Sequence, residues 1–390
     1  MTDERPTIRL ATDELSLGPW IYGRQVAFPD TEVEDGALVE VVDASGRFVG
    51  HGLYNGSSDI RLRMLTRGKK SELREPRDFL LRALSNADRV RKKLLRLPEV
   101  TEAYRIAHAE GDDLPGLVVD RLGAVIVCEH HARGFWRLRD DVEWAMRELY
   151  PECEVVHKVP NSAANAERFE PEPPRDVGET TFLEHQVRYR VAPGRGHKTG
   201  FFCDQRDNRL KVAQYARGQF VLDLCCNTGG FALQAARNGA ARVRAVDLDE
   251  VVLERAAAAA DENRLAVEFV HADAFDVLRE TRAARERPGV VVLDPHKIIA
   301  NRNQIEEGLH RYGDLNTLGL ECVKPGGLLA TFSCSGALDL PTFLGMLFQS
   351  ARRARRGVRL LDVLGAAPDH PQRPEFSRSR YLKGALLAVD

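Results

Sequence analysis

From Phe220 onward, short apolar runs alternate with helical stretches, and this alternation limits the fold more than any other feature of the chain. Strands are expected at residues 220–224, 243–246, 267–270, 290–293 and 328–332, each ending in a polar or glycine-containing turn. Helices are expected near residues 231–238, 250–263, 304–320 and 341–353, with Asn238-Gly239 as a stop signal. Strands alternating with helices bury a parallel sheet between helical layers, the doubly wound arrangement. Two later apolar runs, at 358–363 and 381–389, predict an antiparallel end to that sheet. The fold class is therefore α/β, with a Rossmann-like C-terminal domain.

The preceding residues read differently. Alternation over residues 37–42, the turn Asp43-Ala44-Ser45-Gly46 and a second run at 47–50 give a hairpin signal, so a small β-rich domain is expected over residues 1–75. Phe79, Leu80, Leu84, Val90 and Leu94 then recur at roughly helical spacing. Between residues 103 and 191 the pattern is mixed, with a hairpin at 118–127, a helix at 136–149 and a proline-rich charged loop at 170–176. A central α/β domain at 76–192 and a third domain at 193–390 follow from this, and 390 residues is a length for two or three domains.

Hydrophobic residues make up 43% and charged residues 29%, the balance of a soluble globular protein. No apolar run approaches the roughly 20 residues of a spanning helix, so no membrane partner is expected. The start, Met1-Thr2-Asp3-Glu4-Arg5, has no signal-peptide hydrophobic region. Seven scattered cysteines with no Cys-x-x-Cys pair argue against a disulfide framework and against a metal site. A cytoplasmic location is expected. The net charge of −2 announces no nucleic-acid partner, yet residues 51–100 carry 13 Lys/Arg against 6 Asp/Glu. That window, including Arg61, Arg63, Arg67, Lys69, Lys70, Arg89, Arg91, Lys92, Lys93 and Arg96, reads either as a face that follows a phosphate backbone or as a solvated helix surface.

Asp223-Leu224-Cys225-Cys226-Asn227-Thr228-Gly229-Gly230-Phe231 links the first C-terminal strand to its helix. Its glycines let a ligand approach the backbone, and the helix start offers N–H groups. The three-glycine diphosphate fingerprint is absent, which favours a ligand without a diphosphate, such as S-adenosylmethionine. Asp247, at the end of the second strand, suits the ribose hydroxyls. Asp273 suits an adenine amino group, and Phe275, beside Ala274, could pack on the ring. Cys225 and Cys226 read as small packing residues beneath the loop.

Asp294 follows the fourth strand and Cys334 the fifth, at the rim where open α/β sheets bind ligands. If those strands are neighbours, a thiol and a carboxylate converge. Carbon 5 of cytosine is not nucleophilic by itself. A thiolate adding to carbon 6 makes it so, and a base must later remove the carbon-5 proton. Cys334 is the candidate nucleophile and Asp294 the candidate acid/base; the bland alternative for Cys334 is an inert, buried strand-end thiol.

Several segments carry a family resemblance. They are Gly111-Asp112-Asp113-Leu114-Pro115-Gly116-Leu117-Val118-Val119-Asp120-Arg121, the run from Lys198-Thr199-Gly200-Phe201-Phe202 through Asp204-Gln205-Arg206-Asp207-Asn208-Arg209, the Asp223 loop, Ser333-Cys334-Ser335-Gly336, and Arg380-Tyr381-Leu382-Lys383-Gly384. On these the chain resembles the RlmI-type 23S ribosomal RNA (cytosine-5) methyltransferases over nearly its whole length. The resemblance implies an N-terminal PUA-like RNA-binding domain, a central α/β domain and a C-terminal S-adenosylmethionine-dependent methyltransferase domain. It also implies that Lys198, Thr199, Gln205 and Arg206 lie near the cofactor, that 23S ribosomal RNA is the partner, and that the protein forms a homodimer. From spacing alone, Arg206 could equally pair with the methionine carboxylate or form a structural salt bridge. One departure is Asp294-Pro295-His296-Lys297, where the family has Asp-Pro-Pro-Lys. A second proline would stiffen that loop. His296 loosens it and adds a titratable ring, and the sequence does not choose between a tolerated change, help in proton transfer and an altered substrate.

The favoured reading is methylation of a cytosine in ribosomal RNA, with the base extruded into the pocket. Its rivals are a non-catalytic ribosome-assembly RNA-binding protein that keeps the cofactor fold, and a methyltransferase for another RNA base or a small molecule. The Asn-Pro-Pro-Tyr type of loop is absent, which counts against an exocyclic nitrogen as target.

Overall fold

The structure, a computed structural model, describes residues 5–13, 18–29, 31–195, 199–299, 301–376 and 379–390. They fall into two units: Met1–Phe182 with Ala192–Phe202 and Pro368–Ser379, and Leu183–Val191 with Cys203–Ala367 and Arg380–Asp390.

In the first unit, β1 (Thr7–Arg9), β2 (Trp20–Tyr22), β3 (Leu38–Val42), β4 (Phe48–Tyr54) and β5 (Ile60–Arg67) form one sheet in the order β1-β3-β4-β5-β2. β3 and β4 are the expected antiparallel hairpin. Its turn uses Gly46 at φ +86, a left-handed conformation that glycine enters without a Cβ clash. Ile8, Val39, Val41, Leu62 and Met64 form its core. α1 (Pro76–Arg89) follows, with Leu80, Leu84 and Ala87 buried. A π-turn at Val90–Leu94, closed by the Leu95 N–H on the Val90 carbonyl at 2.9 Å, then breaks the helical period. Leu94, on the expected apolar stripe, is for that reason 76% exposed.

β6 (Ala103–His108), β7 (Leu117–Leu122), β8 (Val125–His130) and β9 (Glu154–Lys158) form a sheet in sequence order, with β7 and β8 the expected hairpin. The helix expected at 136–149 is divided into α2 (Arg133–Arg137) and α3 (Arg139–Leu149), and α4 (Asn161–Glu167) follows β9. The basic window is partly structural. Arg91 is fully buried and grips Asp112 with two bonds of 2.6 and 2.7 Å. Arg63, also buried, pairs with Glu167 at 2.9 Å. Arg67, Lys69, Arg89 and Lys93 are exposed.

β10 (Thr180–Glu184) and β11 (Val187–Val191) form a two-stranded sheet. In the second unit, α5 (Arg206–Ala213) precedes β12 (Phe220–Leu224), α6 (Gly230–Arg237), β13 (Arg242–Asp247), α7 (Glu250–Asn263) and β14 (Glu268–His271). α8 (Ala274–Ala283), β15 (Val290–Leu293), α9 (Ile305–Cys322), β16 (Gly327–Ser333), α10 (Leu340–Arg353), β17 (Val358–Gly365) and β18 (Lys383–Val389) complete it. The sheet order is β14-β13-β12-β15-β16-β18-β17. The first five strands in that order are parallel, and β18 pairs antiparallel with both β16 and β17. α5 and α8 are additional to the helices read from periodicity; α8 is capped by Asp273, which accepts from the Phe275 N–H at 2.8 Å. Among the described residues, no helix is long and apolar enough to cross a membrane.

Candidate active site

The parallel register aligns Leu224 with Leu293 and Leu293 with Thr331, so β12, β15 and β16 deliver their following loops to one edge of the sheet. After β12 the chain turns sharply: Cys225, Asn227 and Gly229 have φ values of +61, +49 and +72. The Asn227 N–H donates to Asp247 Oδ2 at 2.8 Å, and the Asp249 N–H to Asp247 Oδ1 at 3.0 Å. Asp247 therefore ties the loop after β12 to the loop after β13. Asp223, fully buried, accepts from the Ala232 N–H in the first turn of α6 at 3.0 Å.

Gly230 answers to a side chain of the protein as well. A Cβ there would stand 2.8 Å from Cδ of Arg209, which is held by Glu184 with bonds of 2.9 and 2.6 Å. Both partners are buried. Phe231 packs in the core, its ring 5.4 Å from that of Phe332, and Thr228 is buried. Ala274 and Phe275 are half-buried at the start of α8. Asp273 also lies there, one carboxylate oxygen already engaged as the helix cap.

This edge is rich in negative charge. Burial pushes the Asp223 carboxyl up to about 8, the Ala232 N–H opposes that, and Asp294 and Asp247 add to it. Its Oδ1 is buried without a hydrogen-bond partner. Burial likewise pushes the Cys225 and Cys226 thiols up, with Asp247 and Asp223 reinforcing it at both. Thiols held protonated are poor nucleophiles, in keeping with their reading as packing residues. The ligand-free chain keeps the Asp223 proton at neutral pH, and a ligand that brings positive charge and N–H donors would favour the ionised form, in which Oδ1 accepts.

Beside this loop, Asp294 is half-buried at the end of β15. Gln205 donates from Nε2 to its Oδ2 at 3.0 Å. The amide is oriented by Asn208, whose Nδ2 donates to Gln205 Oε1 at 2.6 Å and to the Gly365 carbonyl at 2.8 Å. Cys334, half-buried, follows β16 on the neighbouring strand. The buried serines on either side of it are both anchored to Tyr312 of α9: Ser333 Oγ donates to its hydroxyl at 3.0 Å, and Ser335 Oγ lies 3.2 Å from it. The Ile299 N–H also donates to Ser335 Oγ at 3.1 Å. His296 and Lys297 are exposed on the loop that begins at Asp294.

The remaining expected residues sit as follows. Arg206 is 1% exposed, with Nε 3.0 Å from Asp207 Oδ1. Thr199 belongs to the first unit, where its hydroxyl donates to Asp120 at 2.6 Å. Lys198 lies outside the described residues. Sequence reading missed Asn208, Tyr312 and Lys383 as site residues. Asn208 and Lys383 stand in segments that carry the family resemblance, and Lys383 also opens the otherwise apolar strand Lys383–Val389, signals that could have drawn attention; Tyr312 gave none.

The parallel strands with an antiparallel β18 inserted before β17, and the glycine loop after the central β12, define a class I methyltransferase architecture. Residues 221–299 match the family "Methyltransferase domain" and residues 15–67 the family "PUA-like domain". Ribosomal RNA large subunit methyltransferase I of Aeromonas hydrophila is 35% identical over 378 residues, covering 95% of this chain and 94% of that protein. Its namesake in Photobacterium profundum is 34% identical over 383 residues, covering 95% of each. The chain belongs to the ribosomal RNA large subunit methyltransferase I family. A solved structure described as "a putative sam-dependent methyltransferase from Streptococcus mutans" shares the fold with a TM-score of 0.78 at 20% identity, over 98% of this chain and 100% of that one.

Proposed function

We propose that the chain methylates carbon 5 of a cytosine in ribosomal RNA, that of the large subunit, through a covalent adduct on Cys334. The observation that carries this reading is the pairing of two loops. Cys334 and Asp294 follow adjacent parallel strands, and each is fixed by its own hydrogen-bond network. S-adenosylmethionine, when bound, supplies an electrophilic methyl group on a sulfonium centre. The loop from Asp223 to Phe231, with Asp247 and Asp273, would hold it. The unpartnered Oδ1 of buried Asp223 and the surrounding carboxylates fit its ammonium and sulfonium charges.

Cys334 adds through sulfur to carbon 6 of the base, which loads electron density onto carbon 5. Once carbon 5 is methylated, Asp294 removes its proton, carbon 5 and carbon 6 regain their double bond, and the sulfur leaves. Gln205 keeps the Asp294 carboxylate turned to one orientation during this exchange. The PUA-like match and the exposed Arg67, Lys69, Arg89 and Lys93 support an RNA substrate.

The test is nucleoside mass spectrometry after incubating the protein with labelled S-adenosylmethionine and unmodified large-subunit ribosomal RNA, naked and as an assembling particle. Label in 5-methylcytosine is expected. Label in a different nucleoside would overturn the assigned target atom, and none with either substrate would overturn the reaction.

A further inference from the structure

We infer that Lys383 is the counter-cation of Cys334, a positioning residue that keeps the nucleophilic sulfur ionised near neutral pH. The inference rests on the reading of Cys334 as nucleophile and adds what makes that sulfur reactive. Lys383 opens β18 directly opposite Ser333 of β16. It is 5% exposed, and its Nζ donates to the Ser335 carbonyl at 2.6 Å and to the Tyr381 carbonyl at 2.8 Å. The ammonium is thus bound to the backbone immediately after Cys334. Among the described residues it has no carboxylate within ion-pair distance. A buried cation without an anion is costly, and carbonyl dipoles compensate only part of that cost.

The charged and titratable neighbours identify the anion. Burial lowers the Lys383 ammonium to about 8; Cys334 and Asp339 act in the opposite direction, and Lys297 acts with burial. Asp339 is exposed and spends one oxygen capping α10, on the Thr342 N–H at 2.8 Å. Lys297 is exposed on the loop after β15. Tyr312, hydrogen-bonded to the serines on either side of Cys334, is itself pushed up by burial and remains neutral. Asp294, after the adjacent strand, is an anion that opposes ionisation of the sulfur and makes a nearby cation the more necessary. The Cys334 sulfur is left as the partner that can carry a negative charge inside. On ionisation its proton passes to water, and the ammonium stabilises the thiolate while Lys383 stays protonated, an advantage lost as pH rises past about 8.

The experiment uses the ligand-free, full-length protein and measures the rate at which iodoacetamide alkylates Cys334, read by peptide mass spectrometry from about pH 5.5 to about pH 9.5. The wild-type midpoint should lie below the ordinary thiol value of about 8.5. Lys383→Met should raise the midpoint by about one unit, slowing alkylation at neutral pH about tenfold, and Lys383→Arg should restore it. An unchanged midpoint in Lys383→Met, no restoration by arginine, or a wild-type midpoint at or above about 8.5 would each overturn the inference. If the methionine variant does not fold, the wild-type midpoint and the arginine variant decide alone. Methyl transfer that survives in Cys334→Ser would sink the nucleophile reading while leaving the alkylation profile untouched, so the two failures are distinguishable.

Discussion

Gln205 holds Asp294. Its side-chain nitrogen donates to the carboxylate at 3.0 Å, while its oxygen is committed to Asn208 at 2.6 Å, which fixes which end of the amide faces the acid. The Asp294 carboxylate is therefore oriented before any ligand binds.

Replacing Gln205 by Ala removes that restraint without touching the nucleophile. The turnover number should fall about 10- to 100-fold, the scale of a misplaced catalytic group, with the cofactor dissociation constant changed by less than about threefold. Steady-state kinetics and calorimetric titration with S-adenosylmethionine separate the two effects. Unchanged turnover would mean that the orientation of Asp294 does not limit the reaction.

The proposed division of labour between Cys334 and Asp294 predicts different failures. Cys334→Ala should abolish transfer and form no covalent protein–RNA species. Asp294→Asn should still allow addition and methylation but release product slowly, so that a protein–RNA adduct accumulates on denaturing gels. Cys225→Ala, at a thiol pushed up by burial, should keep transfer within about threefold of wild type. An adduct that persists in Cys334→Ala would point to a different nucleophile.

Asp223 imposes a pH dependence on the ligand-free protein. Its carboxyl is raised from 3.8 to about 8 by burial, so the folded chain holds this proton more tightly than the unfolded chain does. Its contribution to stability is full below about pH 4 and declines as pH rises towards about 8. Wild-type melting temperature should therefore drop between pH 5 and pH 8 by roughly several degrees more than that of Asp223→Asn. Parallel curves for the two proteins, measured without ligand, would refute the assignment.

Glu184 and Arg209 form a buried pair beneath the glycine loop. Glu184→Gln leaves the guanidinium charge uncompensated and should cost about 3–5 kcal/mol in urea unfolding. Gly230→Ala, which brings a Cβ against Arg209 Cδ, should cost about 1–3 kcal/mol by overpacking. Unfolding midpoints equal to wild type would remove this pair from the account of why the loop needs glycine.

What the chain alone determined are the properties that near neighbours decide. The short apolar runs became β12, β13, β14, β15 and β16 within a residue or so of their expected bounds, and the helix at Glu250–Asn263 falls as read. The placement of Asp223, Asp247, Asp294 and Cys334 at or beside strand ends was legible because strand ends and turns are local signals. α8, with Val277, Leu278 and Thr281 buried on one face behind the Asp273 cap, did carry a helical signal, whereas α5 escaped because its apolar spacing is weak. The π-turn after α1 displaced Leu94 for a similar reason, since one inserted residue per turn leaves no mark in the pattern.

Only the tertiary structure decided which side chains meet. Gln205 reaches Asp294 across 89 residues, and Lys383 reaches the backbone of Ser335 across 48. The same is true of the basic window, where Arg91 and Arg63 turned inward to Asp112 and Glu167 while their neighbours stayed in solvent. Such pairings depend on strand order, register and the route of each crossover, which no local run of residues encodes. A buried charge takes whichever partner the fold brings within reach, because the cost of leaving it unpaired exceeds any local preference.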